Sequence, residues 1–132
     1  MASARNVLGG ELAVCGIDPL TGWARTGACM FHPLDVGQHT VCAVMTERFL
    51  RYTAFQGNDL STARDGFPGL RPGDRWCLCA SRWEQARLDG MAPPVVLAAC
   101  HERALDVVSL ADLRAHAHGG GAAASDPGTD RA

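Results

Sequence analysis

The chain has 132 residues, which fits one domain with a single core and leaves little room for a second. Hydrophobic residues make up 47% and charged residues 20%, the balance of a globular chain, and a formal net charge of −2 supplies no basic footprint for nucleic acid. No apolar run approaches the roughly 18 residues a membrane helix needs, and the opening "MASARNVLGG" lacks the apolar core of a secretion signal, so no membrane role and a cytoplasmic location are expected.

Residues 1–5 read as a frayed start, 6–117 as a single globular domain and 118–132, "HGGGAAASDPGTDRA", as a disordered Gly/Ala-rich tail without apolar periodicity. Along the domain, "NVLGGELAVC" alternates like a short, glycine-interrupted strand, and "GIDPLTGWARTGAC" reads as a turn-rich connector. "HTVCAVMTERFLRYTAFQG" spaces Val41, Val44, Met45, Phe49, Leu50 and Tyr52 for a helix that Gly57 stops. "GNDLSTARDGFPGLRPGD" is a long loop of the composition in which functional residues are often carried.

"RWCLCA" then reads as a strand and "SRWEQARLDG" as a helix capped by Ser81 and ended by Gly90. "PPVVLAAC" reads as a further strand, since its valine pair follows two prolines that would break a helix. "SLADLRAHA" predicts a last short helix, with Ser109 as cap and Asp112 at its third position. Strands and helices mix without a clean βαβ repeat, so the expected class is α+β: a small mixed or antiparallel sheet with about three helices.

The chemistry-bearing residues are chiefly the six cysteines: Cys15, Cys29, Cys42, Cys77, Cys79 and Cys100. Cytosolic thiols are normally kept reduced, which leaves three readings: buried small hydrophobe, metal ligand or reactive thiol. On a strand, Cys77 and Cys79 share one face while Trp76 and Leu78 share the other. Cys79 also falls where strand gives way to helix, and the partial positive charge of a helix start favours a thiolate. Cys42 in the first turn of the helix after His39 would be a thiol beside an imidazole. The ordinary alternative is that Thr40 caps, Cys42 packs and His39 is solvated. In "LAACHERAL", His101 is preferred to Cys100 as a candidate, because neighbours on a strand face opposite ways.

Asp18 on a proline turn, and Asn58 and Asp59 on the long loop, offer polar groups, although Asp and Asn in turns usually bond their own backbone. Arg75 and Arg82 flank the cysteine pair and could hold an anion by bidentate contacts, or could instead stack on Trp76 or Trp83.

The blocks "CGIDPLTGW", "GQHTVCAVMT", "GNDLST", "FPGLRPGDRWCLCASRW" and "APPVVLAACHERAL" together resemble the small bacterial proteins of domain-of-unknown-function family 2237 over about Asn6 to Ala117. That family carries no established activity, so the resemblance implies no reaction. It points to Cys15, Asp18, Cys29, His39, Cys42, Asn58, Asp59, Asp74, Arg75, Trp76, Cys77, Cys79, Arg82 and His101. The chain departs from the pattern at Ala63 and at Cys100.

Three functions follow from these groups. The first is thiol-dependent chemistry on a small anionic or polar molecule, with Cys42 or Cys79 as the reactive group, His39 or His101 as proton carrier, and Asp18, Asn58, Asp59, Arg75, Trp76 and Arg82 as ligand-binding candidates. The second is a metal site, zinc or another transition metal, drawn from Cys15, Cys29, Cys42, Cys77, Cys79 and His39. The third is a non-catalytic interaction module with structural cysteines. No cofactor is required by the sequence, and oligomeric state is not legible in it.

Overall fold

Val41, Cys42 and Ala43 are completely buried, so the strand they belong to, β1 (Val41–Val44), carries an unbroken apolar run rather than an alternating one. The computed structural model describes residues 4–120, and in it β1 pairs antiparallel with β2 (Arg75–Leu78). Val41 faces Leu78, Cys42 faces Cys77, Ala43 faces Trp76 and Val44 faces Arg75. On the other side of β1 runs an extended segment through Val95, where the Val44 amide donates to the Pro94 carbonyl and the Val96 amide to the Cys42 carbonyl.

The helix expected over 39–57 is therefore corrected to a strand followed by a shorter helix, α1 (Glu47–Phe55). Thr46 separates them: its backbone is extended, and its side chain accepts from the Phe49 amide at 3.0 Å, a helix N-cap. An apolar run buried on both faces has no period of its own, which is why the valines fitted a helical spacing equally well. Cys42 thus lies in a strand and not in the first turn of a helix.

α2 (Ala80–Leu88) follows β2 almost directly, with Cys79 rather than the expected Ser81 at its N-cap position. Trp83 is wholly buried, donates from Nε1 to the Pro93 carbonyl at 3.0 Å, and meets the His116 ring edge-on. The strand expected in "PPVVLAAC" is corrected to single-residue bridges from Val95 to Ala43 and Ala117, then a 3₁₀ turn over Leu97–Ala99. Pro93 and Pro94 bring no amide donors, so a longer ladder cannot form there. α3 (Leu110–Arg114) starts as its pattern implied, with the Ser109 hydroxyl accepting from the Asp112 amide.

The strand expected in "NVLGGELAVC" is also corrected. The chain folds back at Gly9, whose φ is +88°, and Asn6 Oδ1 closes the turn by accepting from the Leu8 and Gly10 amides. What pairing remains is single bridges, Arg5 with Glu11 and Asn6 with His101. The tail reading beyond residue 120 and the first three residues lie outside the described residues. The result is a small single-domain α+β fold with a two-stranded antiparallel sheet and three α-helices among the described residues. No helix among those residues is long and apolar enough to cross a membrane.

Candidate functional site

The facing pair Cys42 and Cys77 anchors a cluster of sulfur atoms. Cys42 is disulfide-bonded to Cys15 at 2.05 Å and Cys77 to Cys29 at 2.06 Å. The two bonds are interleaved in sequence, and the sulfurs of Cys15, Cys29 and Cys42 all lie within 4.8 Å of one another. The expectation of reduced thiols is therefore corrected for four of the six cysteines: folding brings loop cysteines onto adjacent strand positions at bonding distance. While its disulfide is closed, Cys42 has no thiol to act as a nucleophile.

Cys100 and Cys79 are free. Cys100 is fully buried beside Cys42, receiving the Cys42 amide at 3.3 Å, and burial pushes its thiol up to about 12. Cys79 is half-buried at the start of α2, with its sulfur 3.2 Å from the Ser81 hydroxyl. No side chain caps this helix start, where the Ala80 amide donates to the Gln38 carbonyl and the Arg82 and Trp83 amides to the Cys79 carbonyl, so the thiol stands at the positive end of α2.

His39 lies on the same side. A Cβ placed on Gly37 would stand 2.9 Å from His39 Cε1 and 3.5 Å from Cys79 Sγ, so imidazole and thiol converge on the space this glycine leaves open. The imidazole is held by Asp35, whose Oδ1 is 2.7 Å from His39 Nδ1 and whose Oδ2 accepts from the His39 amide at 2.8 Å. The Oδ1 contact fixes the ring through Nδ1 and leaves Nε2 on its other side. Asp35 itself is buried. Gln38, with a left-handed φ of +50°, turns its carbonyl to receive both the Thr40 and Ala80 amides, which ties the His39 loop to the first residue of α2.

His39 also lines a pocket of about 390 Å³ with Trp23, Arg25, Arg64, Phe67 and Trp76, and Cys77 belongs to the same wall. Arg25 lies over the Trp76 ring and Arg64 over the Phe67 ring, each at 5.0 Å, and Phe67 meets Trp76 edge-on. Arg25 adopts a φ of +55°. It and Gln38 are the non-glycine residues with left-handed backbone among those described, and both adjoin this site. Two guanidinium groups over aromatic walls suit a small planar anion.

The other residues singled out in the sequence are distributed as follows. Trp76 is on the pocket wall, and Asp59 shapes the loop behind it. The Asp59 carboxylate accepts from the Thr62 hydroxyl and from the Ser61 and Thr62 amides, which lowers its acidity range, the Thr62 bond first. Its carbonyl accepts from Arg64, holding that guanidinium at the pocket. Asn58 donates its amide to the Thr53 carbonyl at the end of α1.

Asp18 is exposed before a cis proline bond, and Arg75 is exposed on β2. Arg82 donates to the Gln56 carbonyl and to Gln85. These three do not line the pocket. His101 is buried at the start of a 3₁₀ turn, where Nδ1 accepts from the Arg103 amide and burial pushes its basicity down. Sequence reasoning missed Asp35, Arg25 and Arg64. The Asp-x-x-x-His spacing in "DVGQH" was a usable signal for the first, whereas the two arginines sit in irregular loops that carry no periodicity.

No curated protein matches the chain. A family model matches residues 5–117, nearly all of the described fold with the cysteine cluster, the Asp35–His39 pair and the pocket inside it: the chain belongs to DUF2237, the family described as an uncharacterized protein conserved in bacteria.

Proposed function

We propose that this protein performs thiol-dependent chemistry on a small anionic molecule held between Arg25 and Arg64, with Cys79 as the nucleophile, His39 as its proton carrier and Asp35 as the carboxylate that positions His39. The observation that carries the reading is the convergence of the Asp35-held imidazole and the helix-start thiol on the gap at Gly37, beside a pocket walled by two arginines. In the reaction the Cys79 proton passes to His39 Nε2 and sulfur bonds to an electrophilic carbon of the bound anion. The group leaving that carbon takes the proton back from His39, so charge and protons balance. Asp35 holds the ring in one orientation through both proton transfers. We place this activity in the cytosol, following the sequence reading of location.

Alkylation kinetics test it. At neutral pH an ordinary thiol is only a few per cent thiolate, so an activated Cys79 should react with iodoacetamide up to about 30-fold faster than a free model thiol. Negatively charged iodoacetate should gain a further advantage that is lost in Arg25→Gln and Arg64→Gln. His39→Asn should return the rate to the ordinary one. Equal rates for the native chain and all three variants would rule the reading out.

A further inference from the structure

We propose that Cys15, Cys29, Cys42 and Cys77 form a tetrathiolate zinc site when their two disulfides are reduced, so that one sulfur cluster alternates between a disulfide state and a zinc state. This rests on the placement of the four cysteines and not on the chemistry assigned to Cys79.

Zinc with four thiolates is tetrahedral with bonds of about 2.3 Å, which sets ligand sulfurs about 3.8 Å apart. Three of the sulfurs already lie within 4.8 Å of one another, and the fourth, Cys77, is bonded to one of them and faces another across the sheet. Opening the disulfides thus leaves three sulfurs grouped and Cys77 on the strand position paired with Cys42. Cys42 and Cys77 come from paired strand positions, which fix half of the ligand set. Cys15 and Cys29 close a turn-rich segment that is pinned at one end by the Cys15 amide donating to the Gly27 carbonyl. All four are buried, which excludes competing water. Cys100 is the fifth sulfur nearby; it receives the Cys42 amide at 3.3 Å, takes no part in either disulfide and lies outside the four-cysteine set.

The chemistry balances with a dithiol as reductant. Each protein disulfide takes two electrons and two protons from one dithiol, which becomes a disulfide. Zinc then displaces four protons from the four thiols. In reverse, two molecules of a peroxide oxidise the four thiolates to two disulfides, consume four protons and release the zinc with four waters. In a reducing cytosol the zinc state is the resting one, and oxidation ejects the metal.

The full chain, reduced anaerobically with a phosphine and freed of reductant, should bind one cobalt ion per chain with the sulfur charge-transfer and red tetrahedral bands of a tetrathiolate. One equivalent of zinc should displace it, and peroxide should release it with return of both disulfides by mass mapping. Cys29→Ser should lose the spectrum, while Cys79→Ser, Cys100→Ser and His39→Asn should keep it. If the reduced chain unfolds without metal, zinc should restore its circular dichroism. The proposal falls if reduced protein shows no tetrahedral cobalt spectrum and zinc restores no structure, or if Cys79→Ser or His39→Asn abolishes binding.

Discussion

At Gly37 a single methyl group would stand 2.9 Å from the His39 ring, closer than carbon atoms pack, and would occupy the space between that ring and Cys79, so the ring would have to shift. Gly37→Ala is therefore expected to slow Cys79 alkylation toward the rate of an ordinary thiol with unchanged circular dichroism, because no left-handed backbone is required at this glycine. A second residue reports directly on its own bond. Tyr52, the single tyrosine, donates to Asp89 Oδ2 at 2.5 Å, and that bond, with burial and the carboxylate charge, raises its ionisation to about 12. Ultraviolet titration of the phenol should show this, and Asp89→Asn should bring the midpoint back toward the ordinary value of 10.0. His101 carries a pH effect of known sign. Burial lowers its basicity, Glu102 and Asp106 raise it, and Arg103 lowers it further, with a net depression below 6.5. The unfolded chain then binds a proton that the folded chain does not, so stability falls as pH drops through 6.5 toward the lower folded value. His101→Gln should flatten that part of a denaturation-midpoint profile.

Among the elements, α1 depends on a single hydroxyl at its start. Thr46→Ala removes the acceptor for the Phe49 amide and should destabilise the protein by about 1 kcal/mol in urea unfolding, with little change of slope. The same residue marks where the sequence was hardest to read. Thr46 preceding Glu47 is a usable cap signal, yet the apolar spacing from Val41 to Tyr52 ran straight through it, because a strand buried on both faces imposes no period. Elements with chemical punctuation were legible: β2 after its Pro-Gly-Asp turn, α2 ending at Gly90, and α3 under Ser109. The N-terminal segment and "PPVVLAAC" read as strands because their patterns alternate or are β-branched, and only tertiary pairing shows that they contribute single bridges. In the site, Cys79 was legible as a thiol at a helix start, His39 as an imidazole before an expected helix that is a strand, and Trp76 through the family resemblance. Arg25 and Arg64 were not, since what places them is an aromatic ring beneath each.

For the molecule as a whole, little regular structure holds long loops, and the two interleaved disulfides spanning 27 and 48 residues fasten those loops to the sheet. In the oxidised protein, replacing Cys15 and Cys42 together by alanine should lower stability by about 2–4 kcal/mol, read as a lower denaturation midpoint, and replacing Cys29 and Cys77 as well should lower it further. The Gln38 carbonyl fastens the site in another way, by receiving the Thr40 amide at 2.7 Å and the Ala80 amide at 3.0 Å. One oxygen thereby serves as a common pivot for the loop that bears the imidazole and the helix that bears the thiol. Displacement of this one carbonyl exposes both amides, so Thr40 and Ala80 are expected to lose protection against hydrogen–deuterium exchange together, which couples the motion of the His39 loop to that of the helix start at Cys79.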